Sequence, residues 1–236
     1  GAQQTRLSEV CTALGQAMLM ASGLVVCLAL LVNAGFVERW VGAHQYGGFW
    51  LTAIILMNML LRHWNLTAGM ALFSFGYERR LCLTALLDSL IGAVAMTLFI
   101  WRFGLIGAPL GLVTGVCLIS LPANLSALAR ECHKSIWQLV APLGPWFVRF
   151  IAFASLAAVL GTVWTLNTIP LLAAAAVGTV LIYGLVMFPV ALRYPLGAYV
   201  QPRLFPIATR VSRVLRLEQF FLRRQMRRVG EKTGCV

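Results

Sequence analysis

The sequence predicts an all-α, polytopic membrane protein with about six transmembrane helices and a basic amphipathic helix at its carboxyl end. Of its 236 residues, 60% are hydrophobic and only 11% are charged, whereas about a quarter of the residues of a soluble domain carry charge. The mean hydropathy is +0.85. Apolar stretches of about 20 residues, the length that crosses a bilayer as a helix, follow one another along the chain.

Six apolar stretches are expected to form the membrane helices. Short loops separate them, and these loops contain glycine, charged residues or interfacial aromatic residues such as Trp40. We expect Asn33 and Gly35 to end the first helix, and Pro142 and Pro145 to kink the fifth. The expected spans are residues 13–32, 47–75, 81–101, 105–121, 136–164 and 171–192, with a polar loop at 126–135 and an uncharged turn at 166–170.

The chain divides into two parts. Residues 1–192 hold the six spans, and residues 193–236 form a tail with ten of the 19 lysines and arginines. Between residues 207 and 228, arginines recur among apolar residues in a pattern typical of an amphipathic helix on an anionic leaflet. We therefore expect the tail to contact anionic membrane lipids. No pattern in the chain points to nucleic acid.

The uneven distribution of basic residues predicts the orientation in the membrane. Cytoplasmic loops of membrane proteins carry an excess of lysine and arginine. If the amino terminus is cytoplasmic, the outer loops carry only Arg39 and Arg102. The cytoplasmic side then carries the whole basic tail together with Arg6, Arg79, Arg80, Arg130 and Lys134. Both termini are therefore predicted to be cytoplasmic.

The second apolar stretch carries polar residues at its centre: Asn58, Arg62, His63 and Asn65. An arginine at membrane depth costs about 2.5–3.5 kcal/mol on insertion scales. On a helix, Asn58, Arg62 and Asn65 fall on one face, because they are four and three residues apart. This face is expected to meet a partner helix or a wet cavity. A helix broken at residues 62–65 is the alternative, although each half alone is too short to cross a bilayer.

Two further charged residues lie within expected spans, Asp88 in the third and Arg149 in the fifth. We expect Arg62 and Arg149 to line a polar cavity that attracts an anionic head group, with Asp88 as ion-pair partner or gate. The alternative is a structural Arg–Asp pair that locks helices together. Histidine has a side chain that titrates near neutral pH, but a packing or interfacial role is the more ordinary one for His63.

The sequence contains no recognisable catalytic constellation. It has only seven acidic residues and lacks the motifs of serine hydrolases, P-loop enzymes and zinc proteases. The six cysteines are scattered and include no C-x-x-C pair, which indicates small apolar residues rather than a disulfide framework or a metal site. We expect a protein that is not an enzyme and needs no cofactor or metal.

Three motifs between the spans occur in an order that resembles a known family. They are FVERWVGAHQYGG at residues 36–48, FGYERR at 75–80 and FGLIGAPLG at 103–111. They resemble the carboxy-terminal half of polysaccharide and O-antigen flippase-like members of the multidrug/oligosaccharidyl-lipid/polysaccharide exporter superfamily. The resemblance covers about residues 5–192.

The resemblance implies one lobe of a two-lobe transporter in the bacterial inner membrane. Such proteins flip polyprenyl-diphosphate-linked oligosaccharides, so the expected partner is a lipid-linked anionic oligosaccharide. Arg62 and Arg149 would face its diphosphate, and the other lobe would lie outside this sequence. The alternatives are a multidrug-type cation-coupled exporter, a polyprenyl-phosphate-sugar membrane enzyme and a helical scaffold that transports nothing.

Cysteine labelling tests the predicted orientation. In a background without native cysteines, we expect a cysteine at Glu78 or Glu131 to react only from the cytoplasmic side. A cysteine at His44 or Asn167 should react with an impermeant reagent added outside, because positively charged loops stay inside. The reverse labelling pattern would contradict the topology.

Overall fold

The computed structural model describes residues 2–164, 168–193 and 195–200, with side chains described from residue 8 onward. In these ranges the chain is helical and contains no strand, which confirms the all-α prediction. Up to Ala191, the α-helices are α1 (Ala2–Trp40), α2 (Phe49–Ser74), α3 (Glu78–Phe103), α4 (Gly107–Gly115), α5 (Leu121–Glu131), α6 (Ile136–Val140), α7 (Gly144–Val163) and α8 (Ile169–Ala191).

Four helical segments of the described ranges are long and apolar enough to cross a membrane: Ser8–Trp40, Glu78–Glu131, Ile136–Val163 and Ile169–Ala191. The second of these folds back at a 3₁₀ turn, Gly104–Ile106, so it contains two arms. Helix α2 has 26 residues, which is enough to cross. Its polar centre makes it less apolar than the other four segments. It is nevertheless one continuous helix, which contradicts the alternative of a break at residues 62–65.

The hairpin of α3 and α4–α5 is closed by glycines. A Cβ atom on Gly107 would collide with the backbone of Phe99, and one on Gly111 would collide with the backbone of Met96. A π-helical turn, Val116–Ser120, joins α4 to α5. The small residues of the fourth span therefore form a close contact between two backbones, as in small-xxx-small packing of membrane helices.

Two apolar clusters hold the remaining helices together. The larger one joins α1, α2, α7 and α8, and its most buried members include Trp146 and Met187. Within it, the Tyr183 hydroxyl donates a hydrogen bond to the Met20 carbonyl of α1 at 3.0 Å. The smaller cluster joins α2 and α5 around Leu72 and Leu128. Helix α2 belongs to both clusters and therefore lies between the α1–α7–α8 group and the hairpin.

Two expected helix ends were wrong. Helix α1 continues past Asn33 and Gly35 to Trp40, because the Asn33 amide donates to Thr52 on α2 at 3.1 Å and is satisfied within the bundle. It ends before Gly42, which has a φ of 101°. The expected polar loop at 126–135 is helical as far as Glu131, whose carboxylate accepts a hydrogen bond from Tyr77.

The regular α-helix of the fifth span is interrupted at the prolines expected to kink it. Pro142 lies in a 3₁₀ turn, Ala141–Leu143, that separates α6 from α7, and Pro145 lies in the first turn of α7. Proline lacks the N–H that an inner turn of a helix would use, and it is tolerated in the first turn. The amphipathic helix expected at 207–228 lies outside the described residues, as do residues 166 and 167 of the turn expected at 166–170; α8 begins within that range, at Ile169.

We expect Gly111→Ala to destabilise the protein by about 1–3 kcal/mol, because the added methyl group must separate two packed backbones. Gly184→Ala is the matched control, since nothing lies within 4 Å of its Cβ position. Alanine there should leave stability unchanged or raise it by about 0.5–1 kcal/mol. Thermal unfolding in detergent measures both variants, and equal melting temperatures would contradict close packing of the hairpin.

Candidate functional site

The candidate site is an ion pair between α2 and α3. The Arg62 Nη1 atom lies 3.3 Å from the Asp88 Oδ2 atom. The Asp88 side chain is 5% exposed, whereas the Arg62 side chain is 41% exposed. The carboxylate is therefore enclosed by protein, and the guanidinium group reaches it from a more open position. The sequence predicts Asp88 to be either an ion-pair partner or a gate. The structure shows the geometry of an ion-pair partner.

The π-helical turn supplies a second contact to the same carboxylate. The Ser120 hydroxyl donates to Asp88 Oδ2 at 2.8 Å. Gly115, just before this turn, lies so close that a Cβ atom there would collide with Asp88 Oδ1. Oδ1 is buried and has no hydrogen-bond partner among the described residues. Since π-helical turns occur often at functional sites, this one marks the Asp88 region independently of the charges.

The polar residues of α2 contact three different helices. His63 Nδ1 lies 2.8 Å from the Ser22 Oγ atom of α1. Arg62 contacts α3, and Asn65 Oδ1 accepts a hydrogen bond of 2.9 Å from the Asn124 amide on α5. Arg62 and Asn65 thus both face the hairpin, in agreement with their expected common face, whereas His63 faces α1. The helix is tied to its neighbours by polar contacts on two sides.

Asn58 lies one turn before Arg62 on α2. Its Oδ1 atom is buried and has no hydrogen-bond partner among the described residues. A buried amide oxygen without a partner costs roughly 1–3 kcal/mol, so such a group calls for an explanation, for example a water molecule or an ion that satisfies it. Asn58 therefore belongs to the candidate site by its position, one turn from the ion pair.

Arg149 lies elsewhere in the bundle. Its Nη1 atom donates to the Val186 carbonyl of α8 at 2.9 Å. In the described ranges, no hydrogen bond or ion pair joins it to Arg62 or Asp88. The structure therefore brings together Arg62 and Asp88 but gives Arg149 a separate partner. That the two arginines line one binding cavity stays a prediction.

Sequence reasoning missed three polar partners: Ser22, Ser120 and Asn124. Serine and asparagine in apolar helices carry no charge, so they attract little notice in a sequence. A usable signal existed for Ser120, because it follows Gly107, Gly111 and Gly115 on the ridge that packs against α3. Asn124 is fully buried, and a buried amide needs a partner, which here is Asn65.

The chemistry of this arrangement is charge recognition. A guanidinium group has five N–H donors, and Asp88 uses one of its nitrogen atoms. The exposed remainder of Arg62 is able to bind a phosphate or carboxylate oxygen. In the described residues no group of three or more histidine, cysteine or acidic side chains is placed to hold a metal ion.

A double-mutant cycle tests whether the ion pair stabilises the bundle. We expect Asp88→Asn and Arg62→Met each to lower the free energy of unfolding, because each leaves a charge without its partner. The double variant should lose about 0.5–3 kcal/mol less than the sum of the single losses. Arg102→Met, at an exposed arginine of α3, is the control. Additive losses in detergent unfolding would mean that the two side chains do not interact.

Comparison of this chain with family models, with curated proteins and with solved structures gives no match.

Proposed function

We propose that this chain is a membrane transporter, or the carboxy-terminal half of one, that flips polyprenyl-diphosphate-linked oligosaccharide across the bacterial inner membrane for surface polysaccharide synthesis. The observation that carries the proposal is the position of Arg62, which pairs with buried Asp88 and is still 41% exposed. A purely structural pair would be expected to have both charges enclosed.

The exposure of Arg62 favours a polar space beside it. A guanidinium group in contact with lipid tails at membrane depth is costly, and charged residues of membrane helices usually face the bundle interior or a water-filled cavity. A diphosphate fits such a place, because planar N–H donors pair well with phosphate oxygens. The three loop motifs at 36–48, 75–80 and 103–111 add the resemblance to polysaccharide flippases.

Asp88 has a defined part in this proposal. It fixes the Arg62 side chain in one position through an ion pair at 3.3 Å, while Ser120 fixes the carboxylate. An arginine that is held in advance loses less side-chain entropy when an anion binds. Arg149 remains the second proposed contact to the substrate, on the other helix group.

We expect Arg62→Ala to abolish surface polysaccharide in cells that depend on this protein for export, because the anion then has no positive partner. Arg62→Gln should fail as well; glutamine keeps an N–H donor for the Asp88 carboxylate and should therefore destabilise the fold less than alanine does. Arg62→Lys keeps the charge without the planar fork and should retain part of the export. The measurement is the amount of surface polysaccharide per amount of protein in the membrane.

Arg102→Ala is the matched control for these variants, because it removes an exposed arginine at the end of α3 without touching the ion pair. It should export normally. Normal export by Arg62→Gln at normal protein levels would refute a role for Arg62 in substrate binding.

A further inference from the structure

The turn between α5 and α6 forms a basic groove at one end of the bundle. The groove is open, has a volume of about 710 Å³ and is lined by Ser126, Arg130, His133, Lys134, Ser135 and Ile136. Its volume lies in the range of small-molecule sites, about 300–1,000 Å³. No part of the ion pair between Arg62 and Asp88 belongs to it.

The backbone of this turn is fixed by its own hydrogen bonds. The Lys134 N–H donates to the Ala129 carbonyl at 3.0 Å, and the His133 N–H donates to the Arg130 carbonyl at 3.1 Å. His133 adopts a φ of 50°, a left-handed conformation that is uncommon for residues other than glycine. Ser135 and Gln138 form a capping box at the start of α6. The basic side chains are therefore carried by an ordered turn.

The acidic residue beside the groove, Glu131, has a hydrogen-bond partner on another connection of the chain. Glu131 accepts a hydrogen bond of 2.5 Å from the Tyr77 hydroxyl, on the side of the α2–α3 connection. This bond to the carboxylate raises the pKa of Tyr77, so the phenol stays protonated as a donor. Arg130 and Lys134 form no ion pair with an acidic residue of the described ranges.

The groove lies at a membrane boundary. It joins two segments that are apolar enough to cross a bilayer, Glu78–Glu131 and Ile136–Val163. Ile136 and Trp137 follow the basic residues and are 43% and 75% exposed. Tryptophan is enriched at the level of the lipid head groups. Exposed apolar side chains next to exposed cations fit a ligand that carries both an acyl chain and a negative head group.

We propose that Arg130, His133 and Lys134 bind the phosphate head group of an anionic phospholipid, whose acyl chains lie against Ile136 and Trp137. The site shares no residue with the proposed substrate site or with the basic tail at 193–236. Its occupation ties the turn between α5 and α6 to the membrane surface. A soluble phosphate compound carries the same charge but has no acyl chain that could pack against the exposed Trp137.

A photoreactive phosphatidylglycerol tests this proposal in the full chain, reconstituted in phosphatidylcholine nanodiscs. Cross-links are mapped by mass spectrometry to residues 126–137, and cross-links to residues 193–236 serve as an internal reference. We expect Arg130→Gln/Lys134→Gln to lower the cross-linking at 126–137 at least about fivefold, since each lost hydrogen bond between a cation and the phosphate contributes at least about a factor of five. Cross-linking of the tail should not change.

Arg39→Gln/Arg102→Gln is the matched control, because it removes the same charge at exposed positions away from this turn. It should leave cross-linking at 126–137 unchanged, and an equal loss would mean nonspecific attraction and would overturn the proposal. Unchanged cross-linking in Arg130→Gln/Lys134→Gln would overturn it as well. Displacement of the lipid by millimolar glycerol 3-phosphate would assign the groove to soluble phosphates instead.

Discussion

The carboxylate of Asp88 is the group that the surrounding helices have to accommodate. It is almost fully buried between the arms of a hairpin. A buried charge is tolerated only when a partner charge and hydrogen bonds compensate it. Arg62 supplies the charge from α2, and Ser120 supplies a hydrogen bond from the π-helical turn. Two other elements are therefore bound to α3 by one side chain, and α2 is held against the hairpin.

The close approach of the hairpin arms makes this arrangement possible. Gly115 leaves room for the Asp88 carboxylate, and Gly107 and Gly111 bring the two backbones into contact above it. The π-helical turn then lies beside the carboxylate, where Ser120 reaches Oδ2. Larger residues along this ridge would separate the arms and leave Asp88 open to its surroundings. Packing and electrostatics thus depend on the same three glycines.

The sequence predicts the helices well because apolar length is a local property. It predicts their ends less well, since these depend on partners far along the chain: Thr52 satisfies Asn33, and Tyr77 satisfies Glu131. The same difference between local features and features that depend on distant partners applies to the candidate site. The unusual depth of Arg62 and Asp88 is visible from composition, but their 3.3 Å contact depends on how α2 and α3 pack. The separate partner of Arg149, the Val186 carbonyl, leaves no trace in the sequence.

Under the proposed function, Arg62 would have to bind an anion without leaving Asp88. If the guanidinium group moved away, the carboxylate would keep only the Ser120 hydroxyl, and its Oδ1 atom already has no partner. An unpaired charge in such surroundings costs several kcal/mol. The ion pair uses Nη1 and leaves the other guanidinium N–H groups on a side chain that is 41% exposed. The arrangement therefore fits an arginine shared between a fixed internal carboxylate and an anion that comes and goes.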